Sequence, residues 1–312
     1  MNDRSRQISA PLARWSSRFA LFAASLVVVG LVLHRLTTFP TPVALNLFYV
    51  AFAVAALALL VGLVALAQIW HSGYGGAGNA AIGILLPLMM AAWPLAYLPA
   101  YLKMPPINDI TTDMASPPRF VTLAKMRAEG ANKPAYPGER FAQVQQKAYP
   151  DLRTLLVDRS VEEIFELAEE TAQKLKWKIV AAEAPVGRTA KGGVLEATDQ
   201  TLIMGFTDDI VVRVEGNLNR SRVDVRSASR YGLLDLGQNA ARVRRFLVDL
   251  KARAENTLPS QIASRRGLRS TRTGAMVKRG KDRDQGKAGA RTERDRAQSS
   301  AQRARGQKET QR

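Results

Sequence analysis

An α-helical membrane region of about three transmembrane helices, followed by an α+β domain with an antiparallel four-stranded sheet and two helices and then a disordered basic tail, is the fold the sequence predicts. Three observations carry it. The hydrophobic residues, 46% of the chain, crowd the first third in long uncharged runs. Residues 205–230 alternate with the period of two expected of strands. Two capping-box patterns, at Ser160 and Asp235, open stretches with apolar residues at helical spacing. The divisions that follow are a basic N-terminal segment (1–18), a membrane domain (19–104), a soluble α+β domain (105–258) and a tail (259–312).

In chain order, Arg4, Arg6, Arg14 and Arg18 precede the first apolar run, Phe19 to Leu33, which reaches spanning length with its flank to Leu36. No small-residue cleavage site follows it, so an uncleaved anchor is expected. Val43 to about Ile69 is uncharged and apolar all round, as a spanning helix is. Ala80 to Leu102 contains Pro87, Pro94 and Pro99, which kink or break a helix whose neighbours must then satisfy its backbone. The glycine-rich stretch Ser72 to Asn79 has no following Gly-Lys-Ser/Thr and reads as a flexible inter-helix loop, not a phosphate cradle. Four Lys/Arg before the first span, against Arg35 and Lys103 on the other side, predict a cytoplasmic N-terminus and place the soluble domain outside, in the periplasm of a bacterial inner membrane.

From Pro105 the sequence is soluble in character. Residues 105–118 are extended and helix-averse, and Ala131 to Pro150 reads as a surface loop. A helix follows Ser160, with Ile164, Phe165, Ala168, Ala172 and Leu175 on one face and Glu162, Glu163, Glu166, Glu169 and Glu170 on the other. Trp177 to Glu183 and Val194 to Thr198 read as strands, with a turn at Pro185-Val186-Gly187. The strands Gly205 to Val214 and Arg222 to Arg230 flank the turn formers Gly216-Asn217-Leu218-Asn219-Arg220 and should form a hairpin.

The hairpin register is set by charge. Val214 opposite Val223 places Glu215 against Arg222 and Arg213 against Asp224, whereas a two-residue slip in either direction sets like charges opposite each other. These charges are expected on a solvent face, at roughly 0.2–1 kcal/mol a pair. The last helix opens at Asp235 and carries an apolar stripe of Ala240, Val243, Leu247, Leu250 and Ala254, with Arg242, Arg244, Arg245 and Lys251 on its opposite face. Both helices are expected on one face of the sheet.

The net charge of +18 is uneven: residues 107–260 carry 23 Lys/Arg against 21 Asp/Glu, residues 261–312 carry 16 against 5. A tail so poor in apolar residues is expected to be disordered, and without interleaved aromatics a nucleic-acid role is not expected of it. The chain has no cysteine and only His34 and His71, both in the apolar third. The soluble region therefore cannot supply a Ser-His-Asp triad, a cysteine nucleophile or a His-ligated zinc. No cofactor or metal site is expected.

The motif series Ile107-Asn108-Asp109-Ile110-Thr111-Thr112-Asp113 with Pro117-Pro118, then Tyr149-Pro150, Gly205-Phe206-Thr207-Asp208-Asp209, Arg226-Ser227-Ala228-Ser229-Arg230-Tyr231-Gly232 and Asp235-Leu236-Gly237-Gln238-Asn239 resembles the bacterial family called domain of unknown function 1499. The resemblance covers about Ile107 to Leu250 and implies a domain placed after a few membrane spans; it implies no activity. On the residues themselves, the leading expectation is a membrane-anchored binding or scaffolding module of the cell envelope. Arg226 and Arg230, four apart on one strand face near a helix start, would meet an anionic small molecule, a lipid headgroup or an envelope polymer. Ser227, Ser229, Asp208, Asp209 and Asp235 complete the candidate set. Alternatively, Arg226 and Arg230 pair with Asp208 or Asp209 as a structural clasp. The rival readings are a carboxylate or metal-dependent hydrolase using Asp208, Asp209 and Asp235, and a purely structural envelope protein.

Overall fold

The computed structural model describes residues 10–37, 39–185 and 192–257, and those up to Ala254 belong to one compact unit. The basic residues before Ala10, the turn at Val186-Gly187 and the expected disordered tail lie outside the described residues.

Three helices are long and apolar enough to cross a membrane: α1 (Pro11–Leu36), α2 (Thr41–Ser72) and α3 (Ala77–Ala96), the last continued by α4 (Leu98–Lys103). The break between α3 and α4 follows from the prolines: Pro94 lies in the last turn of α3 and Pro99 in the first turn of α4, where its missing N–H costs nothing. The α2–α3 loop is shorter than the glycine-rich stretch suggests, since α3 already begins at Ala77. The three helices meet through small residues. A Cβ on Gly83 would fall 1.6 Å from the Ser16 hydroxyl, which instead donates to the Ala58 carbonyl at 2.8 Å. Ala13, Ala20, Ala44, Ala51, Ala58 and Ala80 are buried between helices while Leu57, Leu60, Leu63 and Val64 face outward, as helix association in lipid requires.

Beyond Lys103 come β1 (Asp109–Thr111), α5 (Thr122–Met126), α6 (Glu139–Ala148), β2 (Leu155–Val157), α7 (Val161–Lys174), β3 (Lys178–Glu183), β4 (Gly192–Gln200), β5 (Thr207–Gly216), β6 (Ser221–Ser229) and α8 (Gln238–Asn256). All pairings are antiparallel, in the order β1-β6-β5-β4-β3, with β2 also on β6. The sheet thus has six strands, not four. The two additions, three residues each, are too short to show alternation, and they lie end to end along the free edge of β6, which would otherwise offer unpaired backbone groups. The hairpin register is the expected one: Val214 faces Val223, Glu215 faces Arg222 and Arg213 faces Asp224.

Helices α7 and α8 share one face of the sheet, linked by Lys174–Asp249 and Arg253–Glu170 at 3.3 Å each. Ile210, Val212, Val214, Val223 and Val225 are buried there with Ile164, Phe165, Val243, Phe246 and Leu250, and Trp177 stacks on Phe246 with ring centroids 5.0 Å apart. Ser160 caps α7 by accepting from the Glu163 N–H at 3.3 Å. The opposite face is not the solvent face expected of it. Asp209 and Asp224 are 0% exposed and Arg226 1%, because the chain from Thr112 to Gln145 folds across them, with Phe120 and Leu123 packed on Val211 and Ala228. The buried Glu196 carboxylate holds this cover down by accepting from the N–H groups of Val121, Thr122 and Leu123.

One end of the sheet meets the membrane helices. The turn between β4 and β5 lies against the last turn of α1: His34 Nδ1 is 2.6 Å from the Met204 carbonyl, Arg35 donates to Gln200 at 2.9 Å, and a Cβ on Gly205 would stand 3.1 Å from Arg35 Cδ. At the same end, the loop from β6 to α8 brings Gly237 near Met104, just past α4. Three crossings place the α1–α2 connection and the domain on one side, as these contacts require.

Candidate functional site

Strand alternation divides the candidate residues between the two faces of the sheet. With Asp208 opposite Ser229 in the ladder, Asp208, Ser227 and Ser229 point toward α8, while Asp209, Arg226 and Arg230 point toward the Thr112–Gln145 cover.

On the covered face, the Arg226 guanidinium grips Asp109 of β1 through two parallel hydrogen bonds, Nε to Oδ1 at 2.9 Å and Nη2 to Oδ2 at 2.7 Å. Its remaining reach goes to the carbonyls of Pro118 and Pro134, at 3.1 and 2.9 Å, and its plane lies between Phe120 and Tyr136. Burial pushes the Asp109 carboxyl up, and the two-pronged bond from Arg226 pulls it back toward the ionised form. Arg230 pairs with Asp209 at 2.7 Å, and Arg127 takes the other oxygen of the same carboxylate at 2.8 Å. This is the clasp geometry, with Asp109 in place of the Asp208 or Asp209 expected for Arg226. It ties β1 and the cover to the sheet and leaves Arg226 without a surface on which to receive a ligand. Next to it, Asp224 accepts from Thr112, Thr154, Arg213 and Arg222, and Asp113 accepts from the same two arginines.

On the helix face, Arg242 is the organising side chain. It turns toward the sheet end, 9% exposed, rather than to the outer face of α8. It donates to Asp199 and Asp208 at 2.8 Å each, and to Asn239 Oδ1 at 2.7 Å. The Asn239 amide group in turn bonds Ser229 at 2.9 Å and the Asn108 carbonyl at 3.0 Å, while Ser227 donates to Asn239 Oδ1 at 2.6 Å. Asp235 accepts from the N–H groups of Gly237 at 2.9 Å and Asn239 at 2.7 Å, satisfying donors at the start of α8. The chain bends into that cap through Leu236 and Gly237, both at positive φ, so the helix begins at Gln238 and not at Asp235. Burial raises the carboxyls of Asp208, against the pull of Arg242, and of Asp235, where the charge of Asp208 adds to the effect.

A groove of about 200 Å³ opens beside this network, lined by Trp177, Asp199, Gln238, Arg242 and Arg245 among others. Asp199 and Asp208 neutralise Arg242; Arg245 is exposed and makes no ion pair among the described residues. The groove lies at the membrane end of the sheet, between the α7–β3 connection, the end of β4 and the first turns of α8. A second groove, about 330 Å³, lies over the cover between Pro117, Arg119, Glu183 and Arg213, and two of its four charged walls, Glu196 and Arg213, already hold backbone or carboxylate partners.

Asp208 and Asp209 are separated by the sheet, and Asp235 joins only the first of them. Among the described residues no group of three or more His, Cys, Asp or Glu side chains is placed to hold a metal ion. Sequence reasoning missed Asp109, Arg127, Asn239 and Asp199, and placed Arg242 on the wrong side of its helix. The one signal for Arg242 is its spacing, three residues past Asn239 in the first turn of α8. Residues 109–250 match the model of a family described as "Protein of unknown function (DUF1499)". No curated protein matches the chain.

Proposed function

We propose, from the premise that residues 109–250 belong to the DUF1499 family, that this chain is a membrane-anchored binding module which holds its α8 groove at the bilayer surface for an anionic ligand presented there. One observation supports the reading above the others. The groove with its unmatched Arg245 lies between the α7–β3 connection and the first turns of α8, at the end of the sheet whose β4–β5 turn touches the last turn of α1. Arg242, locked by Asp199 and Asp208, shapes the groove; Arg245 supplies the attraction; Trp177 gives an apolar wall. The ligand class is a phosphate-bearing headgroup or another membrane-associated anion.

The test uses the full-length protein in phosphatidylcholine nanodiscs with and without phosphatidylglycerol. Anionic lipid should raise the thermal midpoint of the wild type, and Arg245→Ala should lose that increment while keeping the midpoint in neutral lipid. An equal increment in both proteins, or none in either, would overturn the groove as the binding surface.

The orientation proposed is N-terminus in the cytoplasm and domain outside, on the Lys/Arg count flanking the helices. Alkaline phosphatase fused after Thr257 should be active in cells; an inactive fusion beside an active cytoplasmic reporter reverses the assignment.

A further inference from the structure

We infer that the β4–β5 turn is a lipid-inserting element: the side chains of Leu202 and Ile203 at its tip, joined by Leu233 from the neighbouring loop, lie in the interfacial layer of the bilayer and hold the domain to it. This does not depend on the groove binding anything.

The turn is tight, closed by Thr201 N–H to the Phe206 carbonyl and Gly205 N–H to the Thr201 carbonyl, and it presents two consecutive large apolar side chains outward, Leu202 86% and Ile203 45% exposed. Leu233 on the adjacent loop is 80% exposed. Single exposed leucines are ordinary; three at one end of a domain, where that end meets membrane helices, are not. Depth follows from the contacts. Helix α1 has 26 residues, about 39 Å at 1.5 Å per residue, and so outruns a hydrocarbon core of about 30 Å by only a few ångströms at each end. The Met204 carbonyl meets His34 and Gln200 meets Arg35, both inside the end of that helix at Leu36. A turn that touches His34 does not stand above the end of α1; it stands beside it. Leu36 itself is 76% exposed, which continues the apolar surface from the helix toward the turn. The occupant of that surface is lipid because the surface is continuous with the lipid-facing side of α1, and apolar side chains at headgroup depth gain by entering the acyl boundary.

The absence of cysteine makes the test direct. Leu202→Cys, Ile203→Cys and Leu233→Cys, each spin-labelled in the full-length protein and placed one chain per nanodisc, should show high collision with oxygen and low collision with a water-soluble nickel chelate. Leu218→Cys is the reference. It lies in the hairpin beyond the far end of β5, roughly 30 Å away for a ten-residue strand, and is 55% exposed. The expected nickel accessibility at 202 and 203 is several-fold below that at 218. Equal nickel accessibility at 202 and 218 would overturn the inference. So would protection of 202 from both oxygen and nickel, because that pattern means a protein surface covers the turn.

Discussion

Truncating Arg226 to alanine removes the cation that is ion-paired with Asp109 in the middle of the covered face, leaving the more distant charge of Arg127. Breaking one side of a buried ion pair costs about 3–5 kcal/mol, because the remaining charge stays out of water without a partner. The Pro118 and Pro134 carbonyls lose their donor as well, at about 1–3 kcal/mol for each that water does not reach. These terms overlap, so an overall loss of about 4 kcal/mol or more is expected. That is a large part of the roughly 5–15 kcal/mol by which domains are stable. Arg226→Lys keeps the charge but lacks the fork that reaches both Asp109 oxygens, and should lose less. Replacing both partners, Arg226→Met with Asp109→Leu, should recover the part of the deficit due to the unpaired carboxylate, because neither charge is left buried, while the Pro118 and Pro134 carbonyls stay without their donor. The assay is urea unfolding in detergent with Trp15, Trp70 and Trp93 replaced by phenylalanine, so that Trp177 on Phe246 reports the domain alone. In Arg226→Ala the Asp109 carboxyl, without its guanidinium, stays protonated to higher pH in the folded than in the unfolded protein. Its deficit should therefore be full in alkaline buffer and shrink as pH falls through that raised value. A loss below about 1 kcal/mol for Arg226→Ala, or a double variant worse than the single, would refute the clasp.

Other expectations follow from the same contacts. Reversing both charges of the Arg213–Asp224 pair should fail to restore stability, because Asp224 also accepts from Thr112, Thr154 and Arg222 and Arg213 also holds Asp113; restoration in a double-mutant cycle would mean the pair is isolated. Gly216→Ala places a Cβ 2.2 Å from the Arg220 carbonyl at φ +151°, so the hairpin must open, and the unfolding midpoint should fall clearly. Asp235→Ala should cost about 0.5–2 kcal/mol as a lost helix cap, with Asp235→Asn nearer wild type, both read by the same Trp177 transition. The Asp151 carboxyl is held below its usual range by hydrogen bonds from Arg244, so its contribution is full above the ordinary carboxylate range and is lost as pH falls through the lowered value. Arg244→Ala should remove that acid limb from the stability profile.

The hairpin register was legible because residues 209–226 carry both an alternation and a charge code, and only one alignment satisfies the two together. The division of the candidate residues was implicit in the same register: once Asp208 faces Ser229, parity sends Asp209 and Arg226 to the other side. The burial of that other side was not legible from alternation, which marks charged residues as wet. Val211 and Ala228, apolar residues on the supposedly wet face, were the local signals that something covers it. Asp109 and Arg226 are 117 residues apart, and a three-residue strand such as β1 has too few positions to announce its partner. For Arg242 the apolar stripe of α8 misled, since the stripe describes packing over the sheet and Arg242 lies past the sheet end, where buried Asp208 and half-buried Asp199 draw it inward.

Contacts of the β4–β5 turn dock the groove end of the domain on the C-terminal end of α1. In the cysteine-free chain, Arg35→Cys with Gln200→Cys replaces two side chains whose tips meet at 2.9 Å. A short-arm bismaleimide applied to membranes should join this pair and leave Arg35→Cys with Leu218→Cys unjoined. Failure of the first pair to cross-link, with both cysteines freely labelled by a single maleimide, would contradict the docked arrangement.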